Sequence, residues 1–284
     1  MNFSPLAAGS RSETSTTPLT RVGVAGLGAI GQELVRHLAH GVPGVALTAV
    51  SAHDRERAGE RLERLGVDVP VVALDELEPL ADVVVECAPA RLLAELATPV
   101  LEAGKEVIVL SAGALLERPE LIDLAARHGG RITVPTGALL GLDAVRAAAE
   151  GDVASVRMVT RKPARGLAGA PYLVENGVDP EHADEAVRVF SGTAHEAARG
   201  FPANLNVAAA LALAGIGPER THVEIWVDPA VERNTHTIEV DADVARLTMT
   251  IENVPSANPR TGRITALSVV SLLRTRHATL RVGS

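Results

Sequence analysis

Cysteine and aromatic residues are scarce in this chain of 284 residues. Cys87 is the only cysteine, so no intrachain disulfide can form and no cysteine cluster can hold a metal ion. Aromatic residues make up only 2% of the sequence, so a core must be built mainly from Ala, Val and Leu. The nine histidines include no pair that combines metal-ligand helical spacing with acidic neighbours. We therefore expect no metal site.

Long apolar runs and an excess of positive charge are also missing. No apolar stretch approaches the roughly 20 residues that a membrane-spanning helix needs. Residues 1–20 are rich in Ser and Thr and lack the basic start and apolar segment of a signal peptide, which predicts a disordered tail on a cytoplasmic protein. The formal charge of −8 argues against nucleic-acid and anionic-membrane partners, since both attract basic surfaces. A small-molecule ligand remains compatible with this composition.

Short apolar segments alternate with helical patterns from residue 21 onward. The first helical pattern, for example, places Ile30, Leu34 and Leu38 on one face. The segments predicted as buried strands are 22–25, 45–50, 82–87, 106–110 and 131–134. Uniformly apolar strands that alternate with helices are typical of a parallel sheet covered on both faces. The sequence therefore predicts a doubly wound α/β domain over residues 21–137.

A glycine motif, GLGAIG at residues 26–31, lies between the first predicted strand and the first predicted helix. In this context Gly26 permits a tight turn, Gly28 lets the backbone approach a pyrophosphate, and Gly31 lets helix and strand pack closely. Free N–H groups at the helix start would hold the phosphates. A structural turn without a ligand is the alternative. The motif predicts a Rossmann-type dinucleotide site, and its expected cofactor contacts are Gly26, Gly28, Ala29, Ile30 and Gly31.

The choice between NAD and NADP depends on the segment after the second predicted strand. Asp54 follows Gly31 by 23 residues, close to the usual position of an acidic residue that binds the adenosine ribose. The neighbouring Arg55 is equally suited to a 2′-phosphate. Asp54 is also suited to cap a helix over residues 55–65 without touching a cofactor. Both coenzymes, and the capping role, stay open on this evidence.

The pattern changes after Thr136. Helices are predicted at 142–150, 181–190, 193–198 and 204–214, and strands at 154–161, 222–227, 234–240 and 244–253. The last two strands alternate apolar and polar residues around a predicted turn at 241–243, which is typical of a sheet covered on one side only. We predict a second, α+β catalytic domain over residues 138–262, and a final helix in residues 263–284 that docks back on the first domain.

One histidine stands out in this second half. The period of two along strand 234–240 places His236 on the same face as Ile238 and Val240, at the end of a buried face. That position suits a general acid or base, and it also suits a hydrogen-bonded core histidine. Nearby, Arg161 and Lys162 end a strand and are candidates for binding a dicarboxylate, or are simply solvated charges.

Three further polar residues carry open interpretations. Asn204 and Asn206 begin an apolar helix after a proline, where they either cap the helix or bind a cofactor amide. His195 precedes Glu196 at the start of another predicted helix. We interpret that pair as part of a helix cap rather than as a catalytic pair.

Several motifs in order give the chain a resemblance to the L-aspartate dehydrogenase family over most of residues 21–275. The most specific are the run from Phe190 to Gly215 and the NTH element that contains His236. The motifs are GLGAIG at 26–31, SAGAL at 111–115, VPTGALLGLDAV at 134–145, TRKP at 160–163, FSGTAHEAARGFPANLNVAAALALAG at 190–215, DPAVERNTHTIEV at 228–240 and IENVPSANPRTG at 251–262.

The resemblance implies a homodimeric NAD(P)-dependent enzyme that deaminates L-aspartate oxidatively and reversibly to iminosuccinate, and hence to oxaloacetate and ammonia, in support of NAD biosynthesis. It implies that His236 is the acid/base and that Ala138 and Asn204 contact the nicotinamide nucleotide. Thr136 and Gly262 depart from the family, which usually has Ser at both positions. Two alternatives remain: a two-domain oxidoreductase for another amino acid, a semialdehyde or a sugar, and a non-catalytic nucleotide sensor.

Overall fold

A computed structural model describes residues 18–202, 205–256 and 262–283, which form two sheets with helices packed against them. The strands are β1 (Thr20–Ala25), β2 (Val45–Ser51), β3 (Val71–Val72), β4 (Val83–Glu86), β5 (Glu106–Val109), β6 (Arg131–Thr133), β7 (Val153–Lys162), β8 (Val187–Thr193), β9 (Thr221–Val227), β10 (Asn234–Ala242) and β11 (Arg246–Asn253). The helices are α1 (Ala29–Ala39), α2 (Arg55–Arg64), α3 (Leu93–Glu102), α4 (Ala112–Leu116), α5 (Glu120–His128), α6 (Leu142–Ala148), α7 (Pro171–Glu175), α8 (Ala194–Gly200), α9 (Asn206–Ala214) and α10 (Ile264–Arg276).

The first sheet is parallel, with the strand order β3-β2-β1-β4-β5-β6. One face packs against α1, α2 and α10, and the other packs against α3 and α5. Because both faces are covered, its central strands carry apolar residues in succession, such as the fully buried Val83–Val85. The prediction of a doubly wound α/β sheet is confirmed. The strand order reverses between β1 and β4, where ligands bind in this class of sheet.

The second sheet is mixed, with the strand order β11-β10-β7-β9-β8 and a parallel pair formed by β7 and β9. One face is covered by α6, α8 and α9. Three of the five aromatic residues of the chain, Tyr172, Phe190 and Phe201, pack in this core with ring centroids 5.2 to 5.5 Å apart. The opposite face carries charged side chains. The prediction of an α+β region with a half-covered sheet is confirmed.

The predicted helix at 181–190 is wrong. Residues 187–193 form β8, an edge strand that pairs antiparallel with β9. Its β-branched residues Val187 and Val189 suit a strand, and pairing with β9 satisfies backbone groups on one side of it. Two other features were not predicted. The helix α7 lies between the strand predicted at 154–161 and the helix predicted at 181–190, and the β10–β11 turn falls at 243–245 because β10 extends to Ala242.

The C-terminal helix α10 packs against α1 and completes one face of the first sheet. Arg276 near its end pairs with the buried Glu106, the first residue of β5, at 2.6 Å. The backbone N–H of Gly137 donates to the hydroxyl of Ser268 in the same helix, at 3.1 Å. Within the described residues, no helix is both long enough and apolar enough to cross a membrane.

Candidate active site

A cavity of about 140 Å³ lies where the carboxyl ends of the first sheet's strands meet the covered face of the second sheet. Its walls come from both halves of the chain and from the start of α10. The lining includes Ile30, Glu86, Cys87, Ser111, Thr136, Ala138, Lys162, Asn206, Asn234, His236, Asn253 and Gly262. A site between two sheets that draws a few polar groups into an apolar wall has the usual composition of a small-molecule pocket.

The glycine turn between β1 and α1 has the geometry that a bound pyrophosphate requires. Gly26 has a φ of +103°, and a Cβ there would lie 2.6 Å from the carbonyl oxygen of Cys87. A Cβ on Gly31 would collide with the carbonyl oxygen of Gly26. At Gly28, by contrast, no atom lies within 4 Å of the position that a Cβ would take. Two glycines are thus required by packing, and the middle one leaves open space.

The start of α1 is free to receive an anion. Gly28 is the N-cap residue and offers no side-chain cap, and the first turn has no acidic residue. Two side chains stabilise the glycine turn, because Gln32 and Arg61 both donate to the carbonyl oxygen of Leu27, at 2.8 and 2.9 Å. Free N–H groups at a helix start favour phosphate. These residues therefore fit a dinucleotide.

Asp54 follows β2 and caps α2, since its Oδ1 accepts from the backbone N–H of Arg57 at 3.0 Å. The side chain of Arg55 pairs with Glu76 at 3.1 Å. One oxygen of Asp54 is thus engaged in a cap, as one of the sequence alternatives predicted. A contact between Asp54 and a ribose stays a prediction.

A row of polar side chains crosses the covered face of the second sheet at the end that lines the cavity. Asn253 and Asn234 are directly opposed on β11 and β10. The antiparallel β10–β7 register pairs the next residue, Thr235, with Arg161, which places Lys162 beside Asn234. One step inward, His236 is opposed to Thr160. All five are at least 95% buried, on a face that is otherwise mainly apolar.

His236 is 3% exposed, and its Nδ1 lies 3.0 Å from the hydroxyl of Thr160. With Nδ1 engaged, Nε2 is the nitrogen that remains for the cavity. Burial and, to a smaller extent, the positive charge of Lys162 lower the pKa of His236 to about 3. The imidazole is therefore neutral in the free protein, and when its proton lies on Nδ1 it offers Nε2 as an acceptor.

Lys162 and Arg161 point to opposite faces of β7. Lys162 lines the cavity and is 1% exposed. Arg161 pairs with Asp228 at 3.0 Å and stacks over the ring of Trp226 at 4.9 Å, on the outer face. The structure brings only Lys162 to the site, because neighbouring residues of a strand alternate between its faces.

Glu86, which the sequence analysis missed, is a buried carboxylate in the cavity wall. It accepts from the backbone N–H and the hydroxyl of Ser111, at 2.8 and 3.0 Å, and from the N–H of Leu110 at 3.1 Å. Burial raises its pKa, and these hydrogen bonds oppose that change. An acidic residue that ends an otherwise apolar strand was the available signal. Glu86 fixes the turn between β5 and α4.

The remaining sequence candidates fall in different places. Ala138 lines the cavity, and its carbonyl oxygen accepts from Nδ2 of Asn253 at 2.8 Å. Asn206 does not cap α9; its Oδ1 accepts from the N–H of Gly113 at 3.1 Å and so joins α9 to α4. Asn204 lies outside the described residues. Glu196 forms a capping box with Thr193, as expected of a helix cap.

Two family profiles match the chain, one over each half. A profile described as the NAD-binding domain of homoserine dehydrogenase matches residues 26–135. A profile described as the C-terminal domain of aspartate dehydrogenase matches residues 143–276. The first covers the glycine turn, and the second covers the strands that carry His236 and Lys162.

Whole proteins and solved structures show the same likeness. The chain is 58% identical to L-aspartate dehydrogenase 3 of Bordetella bronchiseptica, over 93% of this chain and 97% of that protein. It is 53% identical to L-aspartate dehydrogenase of Bradyrhizobium diazoefficiens, over 96% of each. The crystal structure of aspartate dehydrogenase from Thermotoga maritima matches with a TM-score of 0.71 at 26% identity, over 93% of this chain and 99% of that one. A scyllo-inositol dehydrogenase of Lactobacillus casei, at 16% identity and a TM-score of 0.52, shares the fold alone.

Proposed function

The chain belongs to the L-aspartate dehydrogenase family, and from this we propose that it oxidises L-aspartate at the amino-bearing carbon with NAD or NADP. The products are iminosuccinate and the reduced coenzyme, with release of one proton. Hydrolysis of the imine then yields oxaloacetate and ammonia, and the reverse reaction aminates oxaloacetate. The observation that carries this proposal is that His236 and Lys162 are both buried and both line the cavity between the two sheets.

His236 is proposed as the acid/base. Its neutral Nε2 accepts a proton from the amine as the C–H bond breaks, and returns one in the synthetic direction. In the free protein its low pKa makes it a weak base, because burial and Lys162 disfavour the imidazolium. Two substrate carboxylates in the same cavity would offset the charge of Lys162 and raise this pKa. Substrate binding therefore prepares the base.

Lys162 is proposed as a ligand for a substrate carboxylate, since it lines the cavity and no other lysine or arginine among the described residues does so. The coenzyme, when bound, supplies the hydride acceptor. Its pyrophosphate would lie at Gly26, Gly28, Ala29, Ile30 and Gly31, its ribose at Asp54, and its nicotinamide half at Ala138 and Asn204. The proposal includes a cytoplasmic homodimer, as the family resemblance implies. It includes no nucleic-acid or membrane partner, since the net charge of −8 disfavours both.

The test is the ammonium dependence of the reverse reaction. We expect oxaloacetate to consume NADH only when ammonium is present, because the imine accepts the hydride. In the forward direction, L-aspartate should be oxidised far faster than L-alanine, which lacks the second carboxylate. Reduction of oxaloacetate without ammonium would instead identify a hydroxy-acid dehydrogenase. Activity on neither substrate, with coenzyme binding intact, would favour a semialdehyde or sugar dehydrogenase or a nucleotide sensor.

A further inference from the structure

One buried side-chain polar atom among the described residues has no hydrogen-bond partner: Oδ1 of Asn253. Asn253 ends β11 and is 3% exposed, so bulk water does not easily donate a hydrogen bond to this oxygen. An unsatisfied buried acceptor is rare in proteins and costs stability unless a ligand satisfies it. Because Asn253 lines the same cavity as His236 and Lys162, the missing partner is expected from the cavity.

The orientation of this amide is fixed by its neighbours. Its other end donates from Nδ2 to the carbonyl oxygen of Ala138 at 2.8 Å, which only an NH2 group can do, so Oδ1 is the end that stays open. Gly262 lies against it, and a Cβ there would be 2.9 Å from Oδ1. The absence of a side chain at residue 262 therefore leaves the oxygen uncovered.

The position of Asn253 relative to His236 indicates which part of a ligand it meets. His236 is opposed to Ile251, two residues before Asn253 on the same face of β11, so the two side chains are diagonal neighbours. A carbonyl oxygen of an amide accepts and never donates, so it cannot bind a carboxylate. The group that it binds must carry an N–H or O–H, and the register places that group on the side of the cavity where His236 lies.

We infer that Oδ1 of Asn253 accepts a hydrogen bond from the substrate's amino group and thereby selects a 2-amino acid over a 2-hydroxy acid. The inference rests on the proposed function. A neutral amine has two N–H donors, one for Nε2 of His236 and one for Oδ1 of Asn253. A hydroxyl has a single donor and leaves one of the two acceptors buried without a partner, which is the arrangement that gives strong discrimination.

The test is Asn253→Ala, measured with ligands that differ only in the amine. We expect the KM for L-aspartate to rise about tenfold or more, because a buried hydrogen bond to the amine is lost. The inhibition constants of succinate and oxaloacetate, which keep both carboxylates and have no N–H, should stay within about twofold of wild type. The Kd for NADH, read from its fluorescence, should also be unchanged and shows that the variant is folded. Thr250→Ala, on the outer face of the same strand, is the matched control.

Three results would overturn the inference. An unchanged KM for L-aspartate in Asn253→Ala would show that Asn253 meets no amine. Equally weaker binding of aspartate, succinate and oxaloacetate would show that Asn253 shapes the carboxylate-binding part of the cavity or only positions the backbone of Ala138. Loss of affinity for NAD, but not for its 3-acetylpyridine analogue, would assign Oδ1 to the carboxamide of the coenzyme. Failure of the wild-type protein to oxidise L-aspartate would count against the proposed function itself.

Discussion

The two sheets contribute to one cavity in different ways. The first sheet offers mainly backbone: a glycine turn, the free N–H groups of α1 and the segment around Ala138. The second sheet offers side chains, in the row from Asn253 to Lys162 and in His236 behind it. In the proposed function, a coenzyme shared by many enzymes would thus be bound mainly by backbone groups, which every residue type has. The reacting substrate would be bound by side chains, which are specific to one chemistry.

The difference follows from how each sheet is covered. Strands buried on both faces have no place for polar side chains except at their ends, where Glu86 emerges beside Ser111. A sheet covered on one face can place charged residues outside, as in the network of Arg157 with Glu224 and Glu239. Its covered face can then end in a few polar residues that line the cavity. The first sheet therefore meets the cavity mainly with backbone groups, and the second meets it with side chains.

The largest effect is expected from His236→Ala, which removes the proposed acid/base of the second sheet. A positioned general base contributes about 10² to 10⁴ in rate, so kcat should fall on that scale. The Kd for NADH should change little, since the proposed pyrophosphate and ribose contacts lie on the other sheet. Turnover above about half of the wild-type value would show that His236 is structural. Parallel loss of NADH binding would show that the two sheets do not act separately.

The same histidine gives a pH prediction for stability. Its pKa in the folded protein is lowered to about 3, whereas in the unfolded chain it is near the usual value of about 6.5. Between these two values, the imidazole is protonated in the unfolded chain and neutral in the folded protein. Stability that depends on the neutral imidazole is present above pH 6.5 and is lost as the pH falls towards 3. Urea unfolding across that range should show a smaller loss for His236→Gln than for wild type.

The sequence predicted backbone features, and the face of a strand on which a residue lies, better than it predicted contacts between elements. The glycine turn and the placement of His236 on a buried face follow from local patterns, and both agree with the geometry of the fold. Asn253 lies on the same face of β11 as Ile251 and Met249. That its Oδ1 has no partner depends on contacts with Ala138 and Gly262, which lie outside this strand. The strand β8 was missed, although Val187 and Val189 suit a strand, because its pairing with β9 is a contact between elements that the local pattern does not show.

A second test compares two glycines of the same turn. Gly31→Ala should destabilise the fold by roughly 1–3 kcal/mol, because the new Cβ collides with the backbone of Gly26. Gly28→Ala should leave the fold intact, because nothing lies within 4 Å of the new Cβ, and should raise the Kd for NADH about tenfold by occupying the phosphate's place. Thermal unfolding and NADH titration separate the two effects. A Gly28→Ala variant with normal NADH affinity would mean that the coenzyme does not approach this turn.

The smallest expected effect concerns Asp54, where the backbone-dominated half of the site uses a side chain. The carboxylate already caps α2 through Arg57, so Asp54→Ala would mix loss of the cap with loss of a ribose contact. Asp54→Asn is the sharper change, because Asn caps a helix about as well as Asp while removing the negative charge. We expect the melting temperature to stay at the wild-type value and the ratio of kcat/KM values to shift a few-fold towards NADP, since a carboxylate favours a ribose hydroxyl and repels a 2′-phosphate. The pairing of Arg55 with Glu76 limits how far the ratio can move, because that arginine is partly neutralised. An unchanged ratio in Asp54→Asn, together with a lower melting temperature in Asp54→Ala, would assign Asp54 to the helix cap alone.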